Sequence, residues 1–279
     1  MCPVNTLRQI IGLETDPARV NAALCQCVRQ TGAPVVGALT VTCSDESELE
    51  CSLIFQRQFV ARLLPELKSG VQAPLRTCNL GARHEPGSLS IAEHHFATPA
   101  AREAFKVLLV KINGHVAAWD HPAAIRYGPM QRYQADSTAC GALHALLVGQ
   151  PLPACEDLRQ TFTADGIDRV SLLLDAGRID PACRYLLAAT VNARLQARRA
   201  LEEIQQHKPH SPTLYLVVPC VTLNRPGPDG ELLVGWYWAD YRGTSLEVRY
   251  EGLGDDPARY RVHTDGPRGR ITEGSEACQ

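Results

Sequence analysis

Cysteine and histidine at the ends of apolar runs are the residues of this 279-residue chain with the most chemistry in them. Residues 137–147 read Ser-Thr-Ala-Cys-Gly-Ala-Leu-His-Ala-Leu-Leu, in which Cys140 precedes Gly141 and an apolar stretch with helical spacing. A turn-like segment leads into it, which places the sulfur at or near a helix N-terminus. Open N–H groups and the positive end of the helix dipole there favour thiolate over thiol. Three fates are open to such a sulfur: metal ligand, nucleophile, or buried thiol with no chemistry.

Two upstream segments bear on the choice. Residues 35–42 are β-rich and almost wholly apolar, the pattern of a strand covered on both faces, and Cys43 stands where that strand ends. Asp45 follows two residues later, on the same side of an extended chain. Residues 105–117 repeat the pattern and end in Asn113, Gly114 and His115. In open α/β sheets, sites gather beyond the carboxyl ends of strands. Two strand ends and one helix start would then supply Cys43, His115 and Cys140, with Asp45 beside them. Cys, His and Cys with one open position is the composition of a catalytic zinc site. Structural zinc takes four protein ligands, often in CxxC pairs, a spacing this chain lacks. The same residues read just as simply as two buried cysteines and a hydrogen-bonded core histidine.

The Cys43-Ser44-Asp45-Glu46 run after a hydrophobic strand, a second strand ending near His115, and the Ala139-Cys140-Gly141-Ala142-Leu143 run resemble the limiting-CO2-inducible B family. That family comprises the theta-class carbonic anhydrases, with a fold related to the beta class. Weaker similarity lies in residues 77–83 and 87–90, and the resemblance covers roughly residues 35–150 well. It implies zinc ligands Cys43, His115 and Cys140, and Asp45 as the carboxylate that meets the metal-bound water. It also implies a homodimer. The chain departs from the beta class at one position: an arginine is expected two residues after that aspartate, and Ser47 stands there. Arg76 and Arg83, in the following region, are the candidates to replace the missing guanidinium.

The resemblance implies reversible hydration of CO2 to bicarbonate: hydroxide formed at the zinc attacks the carbon in a dry, apolar pocket, and water displaces the product. Two thiolates cancel the formal charge of Zn2+. Its water should therefore be less acidic than in a site of three neutral histidines, and activity should climb into the alkaline range.

Composition agrees with a soluble enzyme. The length allows one large domain, taken here as residues 1–279, with a substantial core. A net charge of −2 with interspersed signs leaves no polybasic footprint for nucleic acid or anionic membrane. No apolar run approaches the roughly 20 residues that span a bilayer. The first residues resemble neither a signal peptide nor a transit peptide. Eleven cysteines, an odd number at irregular spacing, point to reduced thiols in a cytoplasmic protein.

Periodicity gives helices over 15–31, 47–67, 139–149, 155–163, 166–177 and 181–207, and a short helical turn over 99–106. Gly, Pro and His cluster in 69–95, which reads as a long surface loop, and 119–136 reads as another. Candidate strands at 213–223, 231–239, 245–251 and 258–264 form a β-rich tail, the first two joined in hairpin fashion through 226–230. The expected architecture is a three-layer α/β domain of the beta-carbonic-anhydrase type, a central sheet flanked by helices, with late strands added to it.

Other residues weigh less. His94 and His95 read as a solvated pair in a polar loop, and Cys25 and Cys27 as helix residues facing different sides. His144, one turn beyond Cys140, reads equally as a second donor to the site or as packing beneath it. His121 reads as a surface residue, and Tyr127 and Tyr133 as loop residues that line a pocket or cover a core. Two rival functions remain. One is a papain-like thiol hydrolase in which Gln134 donates to an oxyanion and His207, His210 or His263 activates Cys140; it leaves Cys43 and Asp45 unexplained. The other is a non-catalytic, zinc-bearing or metal-free relative that keeps the fold.

Overall fold

Strands that are apolar on both sides must be covered on both, and three of them, residues 35–43, 106–119 and 213–224, form the middle of the sheet. The computed structural model describes residues 17–32, 35–43, 58–59, 62–63, 75–96, 106–119, 126–132, 135–138, 140–148, 183–206, 213–224, 230–234, 239–241, 246–249 and 261–264. Strands β1 (Val35–Cys43), β2 (Leu75–Asn79) and β3 (Lys106–Trp119) precede an antiparallel pair, β4 (Arg126–Arg132) and β5 (Ala135–Thr138), and β6 (Thr213–Asn224) follows. The order β2-β1-β3-β6 is parallel throughout. Antiparallel strands β7 (Gly230–Val234) and β8 (Ala239–Tyr241) pair with β6. The hairpin expected around 226–230 is thus present as β6–β7. Strands β9 (Leu246–Arg249) and β10 (Arg261–Thr264) form a separate two-stranded ribbon.

Alternation along the parallel strands divides the core in two. One face carries Val36, Ala38, Val107, Leu109, Leu214, Leu216 and Val218, and is covered by Val20, Leu24, Cys25 and Val28 of helix α1 (Pro17–Thr31). Phe59 and Leu63, one helical turn apart, bury against the same face and agree with the helix expected over 47–67. The opposite face carries Leu39, Val41, Leu108, Val110, Ile112, Tyr215 and Val217. Leu89 and Ala92 of α2 (Ser88–Phe96) and Ala197, Ala200 and Ile204 of α4 (Arg184–Gln206) cover it. Helix α3 (Gly141–Val148) follows Cys140. The result is the three-layer α/β arrangement expected, with all twelve residues of β6 buried.

Register places a seam in the sheet. β1 runs beside β3 from Val35 opposite Lys106 to Thr42 opposite Asn113, and then stops. β3 continues, still paired with β6 on its other side through Ala117 opposite Asn224. From Ala117 to Trp119, β4 pairs with β3 in the antiparallel sense. The end of β1 therefore abuts a short stretch of β3 that contains Gly114 and His115.

Two expected loops contain regular structure. Within 69–95 lie β2, a turn at Leu80–Ala82, and α2. β2 is an edge strand whose residues alternate between half-buried and exposed, so polar side chains on its open face mask it as loop. Gly87 has φ +87° and starts α2 by its carbonyl, which accepts from Ile91 N–H; glycine there marks a helix start and not a loop interior. His94 is accordingly an exposed helix residue, and neighbouring Glu93 is buried. Within 119–136, β4 and β5 form, with Gly128 and Pro129 inside a strand. β4 pairs with only the last three residues of β3 and then with β5, where interrupted apolar character is tolerated. The helices expected at 155–163 and 166–177 lie outside the described residues, as does the turn expected over 99–106 apart from Lys106, which opens β3.

Candidate metal centre

The seam brings three sequence-distant residues together. Cys43 closes β1, His115 lies just past the last β1–β3 pair, and Cys140 stands before α3. One potential ligand atom from each lies within 4.8 Å of the others, and the residues are 2%, 0% and 1% exposed respectively. The two sulfurs are 4.0 Å apart, about twice the length of a disulfide bond. Around tetrahedral zinc, bond lengths of roughly 2.3 Å to sulfur and 2.0–2.1 Å to nitrogen put sulfurs about 3.8 Å apart. Sulfur and nitrogen would lie about 3.5 Å apart, and the sulfur pair needs only a small contraction around an ion. Two thiolates and one imidazole suit zinc in chemistry as well as spacing.

Local structure explains how each is held. Cys140 has φ +56°, and its carbonyl accepts the N–H of His144 at 3.1 Å, so it ends the incoming segment and begins the helix. A left-handed conformation at a residue with a β-carbon costs roughly 1–2 kcal/mol and persists where surroundings over-determine it, often at functional sites. The helix N-terminus adds the field that favours its thiolate. Cys43 accepts the N–H of Gly81 at 3.3 Å. Nδ1 of His115 lies 3.4 Å from the amide nitrogen of Asn224, the last residue of β6. Amide oxygen and nitrogen exchange by a half-turn. With Asn224 Oδ1 accepting from Nδ1–H, Nε2 is the nitrogen left for a metal. α4 passes behind Gly114, where a β-carbon would make ordinary van der Waals contact with the Ala189 carbonyl at 3.5 Å.

The loop after β2 reaches the centre and is tied to α4. Asn192 Nδ2 donates to the Gly81 carbonyl at 2.7 Å, and Gln196 Nε2 donates to Asn192 Oδ1 at 3.3 Å. Gln196 Oε1 accepts from the His84 N–H at 3.0 Å. Glu203 accepts from His84 Nε2 at 2.6 Å and from the Gly87 N–H at 2.9 Å. Burial alone would raise the Glu203 carboxyl; the hydrogen bond and charge of His84 and the N–H groups of Gly87 and Leu89 outweigh it and hold it below the usual range. Ala82 in this loop, with φ +55°, is like Cys140 a residue with a β-carbon in the left-handed region.

Arg76 and Arg83 part company. Arg76 Nε donates to Thr42 Oγ1 at 3.3 Å, beside the end of β1, whereas Arg83 pairs with Glu85. His144 points to Tyr185: Nδ1 lies 2.7 Å from the phenol oxygen and the rings stack. It thus joins α3 to α4. Cys25 packs in the core and donates to Asn21 Oδ1 at 3.4 Å. Asp45, Ser47, His121, Tyr133, Gln134, His207 and His210 lie outside the described residues. So do the side chains of Cys27, His95, Tyr127 and His263. Among the described residues, the histidine brought to Cys140 is His115.

Sequence reading missed Asn224, Gly81, Asn192 and Gln196. The signal for the last two was present: two polar residues one turn apart, both fully buried, in a helix whose other buried positions are mostly apolar. An unsatisfied buried amide costs roughly 1–3 kcal/mol, so such a pair implies partners across the interface.

No family model and no curated protein sequence matches the chain. Solved structures do. PtLCIB4, a homolog of the limiting CO2-inducible protein LCIB, superposes with a TM-score of 0.60 at 13% identity, covering 89% of this chain and 100% of its own. Two point mutants of PtLCIB4 superpose at TM-scores of 0.55 and 0.54, with 14% and 12% identity, each covering 85% of this chain and 94% of the other. The chain therefore has an LCIB-like α/β fold, and the resemblance read from its sequence holds at the level of the fold.

Proposed function

We propose that the chain is a zinc-dependent carbonic anhydrase that interconverts CO2 and bicarbonate, with Cys43, His115 and Cys140 holding the metal. The observation that carries this reading is the buried Cys-His-Cys cluster where β1 ends beside β3. The LCIB-like fold is consistent with it. When bound, zinc supplies the Lewis acidity that makes water a nucleophile toward CO2 near neutral pH.

The chain's own residues do the rest. Cys43 and Cys140 give thiolates that balance the dication, and the Gly81 N–H and the α3 N-terminus stabilise their charge. Asn224 fixes the His115 ring so that Nε2 serves as ligand. Burial of all three keeps competing bulk water away and suits an apolar substrate. Asp45, two residues beyond Cys43, is the carboxylate assigned to orient the attacking water by accepting its hydrogen bond. Arg76, whose Nε donates to Thr42 Oγ1, is the arginine this reading assigns to the role of the guanidinium missing at position 47. The reading takes the protein to work as a homodimer.

Stopped-flow CO2 hydration by zinc-loaded protein, set against Cys140→Ser, tests the proposal. Activity in the first and loss of both zinc and activity in the second is expected. A zinc-loaded wild-type protein without hydration activity at any pH, or full activity in Cys140→Ser, would overturn it.

A further inference from the structure

α4 does more than cover the sheet. Asn192 and Gln196, one turn apart, are both fully buried, and their side chains turn toward the segment between β2 and α2. One backbone group orients the whole chain of bonds. The His84 N–H can only donate, so Gln196 must present Oε1 to it. Gln196 Nε2 then donates to Asn192 Oδ1, which leaves Asn192 Nδ2 to donate to the Gly81 carbonyl at 2.7 Å. Gly81 has φ +67°, which glycine adopts freely, and Ala82 has φ +55°, which is strained for a residue with a β-carbon. Held in this way, Gly81 aims its N–H at the Cys43 sulfur, 3.3 Å off.

An N–H donated to a thiolate withdraws electron density from it. A metal bound to that sulfur receives less charge and is a stronger Lewis acid. We infer that Asn192 and Gln196 are positioning residues of the metal centre, holding the Gly81 N–H on the Cys43 sulfur and so setting how much charge that thiolate passes to the metal. The inference rests on the metal-binding reading of Cys43, His115 and Cys140, and not on CO2 as substrate.

Cobalt substitution tests it. In cobalt-loaded wild-type protein, the sulfur-to-metal charge-transfer band marks thiolate donation. Asn192→Leu removes the donor to Gly81, so the band should move to lower energy. Asn192→Asp, which keeps size and the acceptor for Gln196 but not the donor, should move it the same way and serves if the leucine variant does not fold. In the wild-type protein loaded with NMR-active cadmium, the Gly81 amide proton should show coupling to the metal through the sulfur. A residue with a merely structural role would lower thermal stability without moving the band. An unmoved band in either folded variant, or no coupling at Gly81, overturns the inference. Failure of the wild-type protein to take up cobalt or cadmium would instead sink the metal-binding reading itself.

Discussion

Replacing Glu203 by glutamine isolates the anchor at the far end of the loop that reaches the centre. The carboxylate accepts two hydrogen bonds, one from His84 Nε2 at 2.6 Å and one from the Gly87 N–H at 2.9 Å. Glutamine can keep the second through Oε1, but it turns an amide NH2 toward His84 and removes the charge. A hydrogen bond to a charged group contributes about 1.5–3 kcal/mol. With the Glu203 side chain 17% exposed, the lower part of that range applies, and we expect a loss of about 1.5 kcal/mol near neutral pH. For a chain of this size that is a fall of roughly 3–6 °C in Tm. The pH dependence follows from the lowered carboxyl pKa. Above its ordinary value of 4.5 the group is ionised in both folded and unfolded chains, and its contribution is fully present. As pH falls, the unfolded chain takes up the proton first, so the contribution shrinks and is gone once pH passes below the folded value. The difference between wild type and Glu203→Gln, measured by thermal or urea unfolding, should therefore be widest near neutral pH and close in acid. An equal difference at pH 7 and in acid would refute the reasoning.

Three further outcomes are expected. Asn224→Leu should fold and lose zinc affinity by about 10- to 100-fold in a competition titration, because His115 loses the partner that orients it; unchanged affinity would remove Asn224 from the centre. Cys140 should react slowly with iodoacetamide in zinc-loaded protein and quickly once a chelator has stripped the metal. Fast labelling with zinc present, together with ester or peptide cleavage, would favour a thiol hydrolase. CO2 hydration should be weak near pH 7 and climb in alkali, since two thiolates neutralise the dication. Asp45→Asn should lower the alkaline rate by roughly 10- to 1000-fold if the carboxylate orients the attacking water. A rise at neutral pH would instead show that Asp45 blocks the metal.

The parallel core was legible because its strands carry the strongest local signal. β1, β3 and β6 are apolar on both faces, and α1 and α4 have long amphipathic repeats. Cys43 and Cys140 were legible because one ends β1 and the other stands just before α3, whereas His115 lies inside β3, four residues before its end, where β1 no longer pairs with it. β2 and β4 were not, because edge or partial pairing lets them carry the polar, glycine- and proline-bearing sequences of loops. The support around the centre was hidden for a different reason. Asn224 and Gly81 act through contacts 109 and 38 residues apart in sequence, which no local pattern reports. Only the fold tells Arg76 and Arg83 apart, turning one to Thr42 and the other to Glu85.

The most direct measurement is X-ray absorption at the zinc edge of the purified, zinc-loaded protein. Two sulfurs at about 2.3 Å and one imidazole nitrogen at about 2.0–2.1 Å are expected, completed by one lighter ligand, with one sulfur lost in Cys43→Ser or Cys140→Ser. A spectrum without sulfur neighbours, or one that neither cysteine substitution alters, would contradict a zinc centre built from Cys43, His115 and Cys140.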